Sequence, residues 1–403
     1  MSRLVSEDAC SAGLIRVRSG LLAILCVSAA LSIFSILRVP FSTPIKDYLD
    51  AAEILSQGRR IGQFMPIAYS LFLAAALKAG GHTAIFISQA GLYLATVFLS
   101  FYFLKELKAD VVWVVVGALL VACHPYLVVN IKRIVENNLA VPFMVLFVLI
   151  LNRLKLGKIC YGSAVFFGVC LGLMPLIRAN FLMVLPLFWR TLLKDSPFSF
   201  RKKIGLSLLT GTVLVGTLYT VTMAATGHFF ILPGEGGYNF FAGANPFTAE
   251  HILSEYHSEF SMAPALKFYG IQKPSDEIYR QLALRFVTEH PLEYVRLIFL
   301  RFFTLIRPDY RLLGLSETVS SPCLLVVAQT FLAAPFYLWL IVKTLTFRDV
   351  PKAEDSGIFW INALYAVPFL LIMADPRYRL PMDILFLLDS VYLISRSAGR
   401  KVP

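Results

Sequence analysis

Chemistry in this chain falls to a small set of charged and polar side chains. The tightest grouping of acids is Asp47, Asp50 and Glu53, within seven positions of one another. A helix over 48–56 sets Asp50 and Glu53 on one face as an i,i+3 pair, with Asp47 one turn ahead of Asp50. A carboxylate so placed can take the proton of an incoming hydroxyl. The same acids can also serve only to complement the positive end of a helix. Arg178 and the Arg377/Arg379 pair stand at the edges of apolar segments. There a guanidinium fork either matches the oxygens of a phosphate or snorkels to headgroups. Arg59 and Arg60 fit the snorkelling role better. His82, His124, His228, His251, His257 and His290 give neither HxxxH nor HExxH. With no clear set of hard oxygen ligands either, no metal site and no other cofactor is expected; a divalent ion is compatible with the chain but not indicated. No GxSxG, Walker or GxGxxG pattern occurs in a usable context, which argues against an ATPase or a dinucleotide enzyme.

The elements that must hold these residues are apolar helices. Hydrophobic residues make up 58% of the 403 and charged residues 15%, and the mean hydropathy is +0.71. The apolar residues come in blocks (21–37, 84–104, 111–129, 206–225 and 324–342), each near the ~20 needed to cross a bilayer core. This is the pattern of an all-α polytopic membrane protein. The net charge of +12 is scattered at the ends of those blocks. A nucleic-acid binder needs a continuous basic stripe, so nucleic acid is not a partner, and membrane lipids are. The six cysteines lie in or beside apolar blocks, with no metal or disulfide framework. The first apolar block reads as an uncleaved helix.

Setting Lys105 and Lys108, Arg153 to Lys158, Arg190 to Lys203, Lys343 to Lys352 and Arg396 to Lys401 in the cytoplasm gives one self-consistent path with both termini inside. About ten transmembrane helices follow, near 20–39, 83–104, 111–129, 138–152, 159–176, 179–193, 204–226, 321–346, 357–374 and 380–396. Four are short for a span: 138–152, 159–176, 179–193 and 380–396. Two external segments remain. Residues 40–82 hold juxtamembrane helical patterns at 48–56 and 66–78. Residues 227–320 form one large external loop that opens on irregular Gly/Pro-rich sequence and closes on an interfacial amphipathic stretch over 289–310. With no internal repeat, residues 1–403 form a single membrane domain.

The order of these features resembles the GT-C superfamily of membrane glycosyltransferases, the group with the protein O-mannosyltransferases and aminoarabinose transferases. The resemblance rests on Asp47-Tyr48-Leu49-Asp50-Ala51-Ala52, Gly58, Pro66 with Tyr69-Ser70-Leu71-Phe72, and Gln89. It continues with His124-Pro125, Glu136, Gly172-Leu173, Arg178-Ala179-Asn180, Asn239 to Asn245, and Asp375-Pro376-Arg377-Tyr378-Arg379-Leu380-Pro381, and so covers roughly 40–390. It implies transfer of a sugar from a polyprenyl-phosphate donor to a hydroxyl of a lipid, glycan or protein acceptor, with inversion, outside the cytoplasm. Asp47, then Asp50, would be the catalytic base. Many relatives carry the acid four residues before the tyrosine, where this chain has Pro44. Arg178, Arg377 and Arg379 would bind the donor phosphate, and Tyr48, Tyr69, His124, Glu136 and Asn245 would bind substrate. The compactness of the chain points to an integral protein of a bacterial inner membrane, its site facing the periplasm or exterior; an endoplasmic reticulum origin would be oriented similarly. The rival readings are an O-antigen polymerase or ligase, which would depend on loop arginines, and a lipid or sugar transporter, which usually shows internal repeats.

Overall fold

The computed structural model describes residues 2–39, 41, 46–59, 67–156, 161–195, 205, 208–217, 220, 236–254, 261–272, 275–307, 322–346, 357–372 and 376–400. Among these residues the regular elements are helices and no strand occurs. Ser19–Arg38, Ile67–Glu106 and Asn137–Lys155 are long and apolar enough to cross a membrane, and five shorter apolar helices accompany them.

Most expected segments emerge as helices, with three instructive differences. The patterns at 66–78 and 83–104 join into α3 (Ile67–Glu106), which follows α1 (Ser2–Arg38) and α2 (Lys46–Ser56). The join is broken at Gly80–Gly81, where Gly81 has a φ of 65° that disfavours any side chain. The single crossing expected over 111–129 divides into α4 (Val111–Ala122) and α5 (Pro125–Asn130). His124 between them is extended, at φ −65° and ψ 118°, because the ring of Pro125 crowds a helical residue before it. The short span at 179–193 becomes a 3-10 turn, Ala179–Met183, followed by α8 (Leu185–Asp195).

Contacts sort the helix termini into two ends. At one end Glu106, closing α3, pairs with Arg153 near the close of α6 (Asn137–Lys155) at 3.1 Å. Beside them the amide of Asp110, which caps the start of α4, donates to Ser395 in α17 (Leu380–Arg400) at 2.9 Å. At the other end Ser35 of α1 donates to the Val128 carbonyl of α5 at 2.7 Å, and Gln89 of α3 reaches the Ile131 carbonyl. The start of α6, the close of α7 (Tyr161–Ile177) and the start of α17 meet there as well.

Running directions follow from which residues touch. Gly168 of α7 lies against Leu208 and Gly211 of α9 (Leu208–Thr217), and Gly172 lies against Thr212 and Val215. The two helices are therefore parallel, and the chain between them returns to the first end. In α15 (Pro322–Thr346), Phe336 meets Phe386 of α17, and Trp339 donates to Asp389 at 2.8 Å. These two are parallel also, with α16 (Ile358–Leu371) between them in sequence.

The segment expected as one large loop is, within its described part, a helical unit. It comprises α10 (Gly236–Gly243), α11 (Thr248–Ser254), α12 (Met262–Phe268), α13 (Asp276–Glu289) and α14 (Pro291–Ile306). Phe241, Ile252, Met262, Phe286 and Leu297 give it a core separate from that of the bundle. The irregular opening expected before Gly236 lies outside the described residues. Helix α14 buries a mixed polar and apolar face and exposes a largely apolar one. Arg301 is fully buried beside Leu297 and Thr304, while Leu292, Phe299 and Phe303 are exposed.

Candidate functional site

The second end of the bundle holds most of the buried polar side chains. Helix α7 stops at Ile177, and Arg178 turns to extended geometry before the 3-10 turn, at φ −160° and ψ 124°. That turn directs its side chain inward, where it is only 5% exposed. Nη2 pairs with Glu136 Oε1, and Nη1 donates to Asn137 Oδ1 at 2.9 Å and to the Tyr365 hydroxyl of α16 at 3.2 Å. The guanidinium lies over the ring of Tyr378 at 4.5 Å, and that ring stacks on Phe369 at 4.6 Å. Burial opposes the charge, but Tyr365, Glu136 and Tyr378 outweigh it and hold Arg178 above the usual arginine range.

A second group adjoins the first through residues 136–138. The Tyr69 hydroxyl donates to Gln89 Oε1 at 2.9 Å, and Asn138 donates to the same oxygen. Asn138 Nδ2 also reaches the carbonyls of Asn130 and Arg133, at 2.9 and 3.0 Å, which ties the loop before α6 to its own start. Tyr48 of α2 packs edge-on against Tyr69 at 5.1 Å. This contact seats α2 on α3 through Tyr48, Leu49 and Ala52, and leaves Asp50 and Glu53 on the exposed face. Asp47 lies in the first turn of α2; its side chain is outside the described residues.

No protein-family model, curated protein or solved structure matches this chain.

The other expected site residues have different surroundings. Arg379 is buried and pairs with Asp383 one turn along α17, at 2.8 Å. Its Nη1 also donates to the carbonyls of Leu305 and Ile306, at 3.4 and 2.5 Å, where α14 ends. The guanidinium thus caps the negative end of a neighbouring helix. Arg301 does the converse: from α14 it donates to the carbonyls of Leu370 and Leu371, at 2.8 and 2.9 Å, at the close of α16, and to that of Gly243. No carboxylate among the described residues pairs with it, and burial pushes it down to about 10, with Tyr294 working the other way. Together the two arginines clamp the α10–α14 unit to the bundle. The side chain of Arg377 lies outside the described residues.

His124 is buried with neither ring nitrogen hydrogen-bonded among the described residues, and it lies near enough to Arg379 to feel its charge. Asn245 is occupied within the α10–α14 unit, donating to Phe241 O at 2.8 Å and Ser261 Oγ at 2.7 Å. The structure therefore joins Arg178, Glu136, Tyr69 and Tyr48 in one polar layer, with Arg379 and His124 at the same end of the bundle. It leaves Asp50 on the outside of α2 and Asn245 within the added unit. Among the described residues no three His, Cys, Asp or Glu side chains gather where a metal could bind.

Sequence reading passed over Asn137, Asn138 and Tyr365. A signal was present for the first two, because the run Glu136-Asn137-Asn138 is strongly polar for the start of an apolar helix. Tyr365 follows Asn362 by three residues in an otherwise apolar helix, which sets both on one face.

Proposed function

We propose that this chain is an integral membrane glycosyltransferase with about ten crossings, the polar end of its bundle facing the periplasm or exterior. It moves a sugar from a polyprenyl-phosphate donor to an acceptor hydroxyl, with inversion at the anomeric carbon. The observation that carries this reading is Arg178. It is a charged guanidinium held in a buried layer at the end of apolar helices, where a lipid carries its phosphate. A cation at that depth is expensive unless it is functional or paired, and here Arg379 and Arg301 add two more at the same end. Glu136 and Asp383 are the carboxylates paired with this set, so it keeps an excess of positive charge. Departure of polyprenyl phosphate builds negative charge at the scissile oxygen, and preorganised cations stabilise it. A carboxylate in the same layer takes the acceptor's proton.

The parallel pairs α7/α9 and α15/α17 suit a path that changes direction at each crossing, and the exposed apolar side chains of α14 suit a helix lying against lipid. The polymerase reading needs outward arginines in the external unit. Arg280, Arg285 and Arg296 are exposed there, each paired with a glutamate on its own helix, whereas Arg301 is buried against backbone carbonyls.

The test is release of free polyprenyl phosphate from a panel of polyprenyl-phosphate sugars by purified protein, with an acceptor extract present. Wild type is expected to release it and to form a glycoside of inverted configuration. Arg178→Lys keeps a charge but loses the two-pronged donor, so the donor KM should rise about tenfold or more. Absence of release from every donor would refute the reading.

A further inference from the structure

Pairing with Arg178 accounts for one oxygen of Glu136 and leaves the other. Oε2 is buried and accepts no hydrogen bond among the described residues. An orphaned oxygen of this kind costs about 1–3 kcal/mol, and more when the group is charged. In native proteins such atoms mark a bound water, a ligand or a catalytic role. Glu136 also stands where several elements converge. It precedes the first residue of α6, pairs with Arg178 beyond α7, and acts electrostatically on the hydroxyls of Tyr69 in α3 and Tyr365 in α16. The acids of α2 differ in this respect, since Asp50 and Glu53 are exposed on its outer face.

The geometry points to Glu136 as the catalytic carboxylate of this chain, with Oε2 receiving the proton of the acceptor hydroxyl. This rests on the transfer reading above and names the residue that reading leaves open. In the step, the acceptor oxygen bonds to the anomeric carbon as its proton passes to Oε2. The bond from that carbon to the phosphate oxygen breaks, and its electron pair leaves with polyprenyl phosphate. Glu136 then yields the proton to water and returns to the carboxylate. Arg178 orients the carboxylate through Oε1, so Oε2 alone is available to the acceptor. Asn138, fastened to Gln89 and to two loop carbonyls, fixes the backbone two residues away.

The test compares wild type, Glu136→Gln, Glu136→Asp, Asp47→Asn and the control Glu53→Gln as full-length proteins in nanodiscs, with steady-state rates and donor KM measured for each. Glu136→Gln should lower kcat by about a hundredfold or more with donor KM unchanged, the range expected for a lost general base. Glu136→Asp keeps the charge that Arg178 needs but withdraws the carboxylate by one methylene. It should therefore melt like wild type and still lose about tenfold or more in kcat. Glu53→Gln should stay within about threefold of wild type. Near-wild-type kcat in folded Glu136→Asp and Glu136→Gln would overturn the assignment while leaving the transfer reading intact. A kcat loss confined to Asp47→Asn would overturn it too and move the base to α2. A wild type that releases no polyprenyl phosphate from any donor would bring down both.

Discussion

Gly243 closes α10 where that helix touches the end of α16, and a single methyl group there has a calculable effect. A Cβ at this position would run into the carbonyl oxygen of Ile372, a backbone atom that no rotamer change can remove. In Gly243→Ala, α10 has to move away from α16, and overpacking of this kind costs about 1–3 kcal/mol. The movement also draws the Gly243 carbonyl off Arg301, a hydrogen bond to a charged group that contributes about 1.5–3 kcal/mol. The two effects together give a loss of about 2.5–6 kcal/mol, centred on the joint between the α10–α14 unit and the bundle. In nanodiscs the apparent Tm should fall by at least about 5 °C, and protease should cut first within 236–306. Gly91→Ala is the matched control, because nothing lies within 4 Å of its added carbon. In that helical interior alanine should be neutral or stabilising by up to about 1 kcal/mol. If Gly243→Ala melts within about 2 °C of wild type, the account of this joint is wrong.

Three further outcomes follow from the packing. Glu136→Ala and Arg178→Met should each cost about 3–5 kcal/mol, because each strands a buried charge, while the double variant should cost clearly less than their sum. A double-mutant cycle on thermal unfolding measures this, and strict additivity would contradict it. Gly211→Val should separate α7 from α9, since its Cβ would come to 2.5 Å from Val165 O and 2.6 Å from Val169 N. A loss of about 2–3 kcal/mol is expected, and an unchanged melting curve would count against the parallel packing. Trp339→Phe removes the indole donor to Asp389 in the middle of α15 and α17. Its expected cost is about 1.5–3 kcal/mol in the same assay, and a cost near zero would mean that Asp389 does not depend on that bond.

Apolar blocks and chain breakers made most helices legible in advance, because length and hydropathy act locally. The start of α4 and both ends of α6, α15 and α16 lie close to the expected borders for that reason. The break before Pro125 was legible too, but the strongly apolar residues on both sides of His124-Pro125 masked it. The helical unit at 236–306 was harder to see. Its core depends on Phe241, Ile252 and Phe286 meeting across more than one helix, and no local pattern reports that. Arg301 illustrates both limits. Five residues carry a helix about 140° past Arg296, so it had to lie on another face from that arginine. That the other face would be the buried one depends on α16 and α10, which are remote in sequence. At the polar layer, residue types were readable one at a time, whereas the pairing of Arg178 with Glu136 joins positions 42 apart.

The reciprocal arginine clamp also bears on how the protein is made. Arg301 must wait for Leu370 and Leu371, 69 and 70 residues downstream, and Leu305 and Ile306 must wait for Arg379, 74 and 73 residues downstream. At a synthesis rate of about 5–20 residues per second, that interval lasts roughly 4–15 s. Throughout it the finished α10–α14 unit is tethered without its dock, and Arg301 keeps its water shell. Helices α16 and α17 therefore act as a late latch in biogenesis. A ribosome stalled between them would leave an otherwise folded protein with its outer unit undocked.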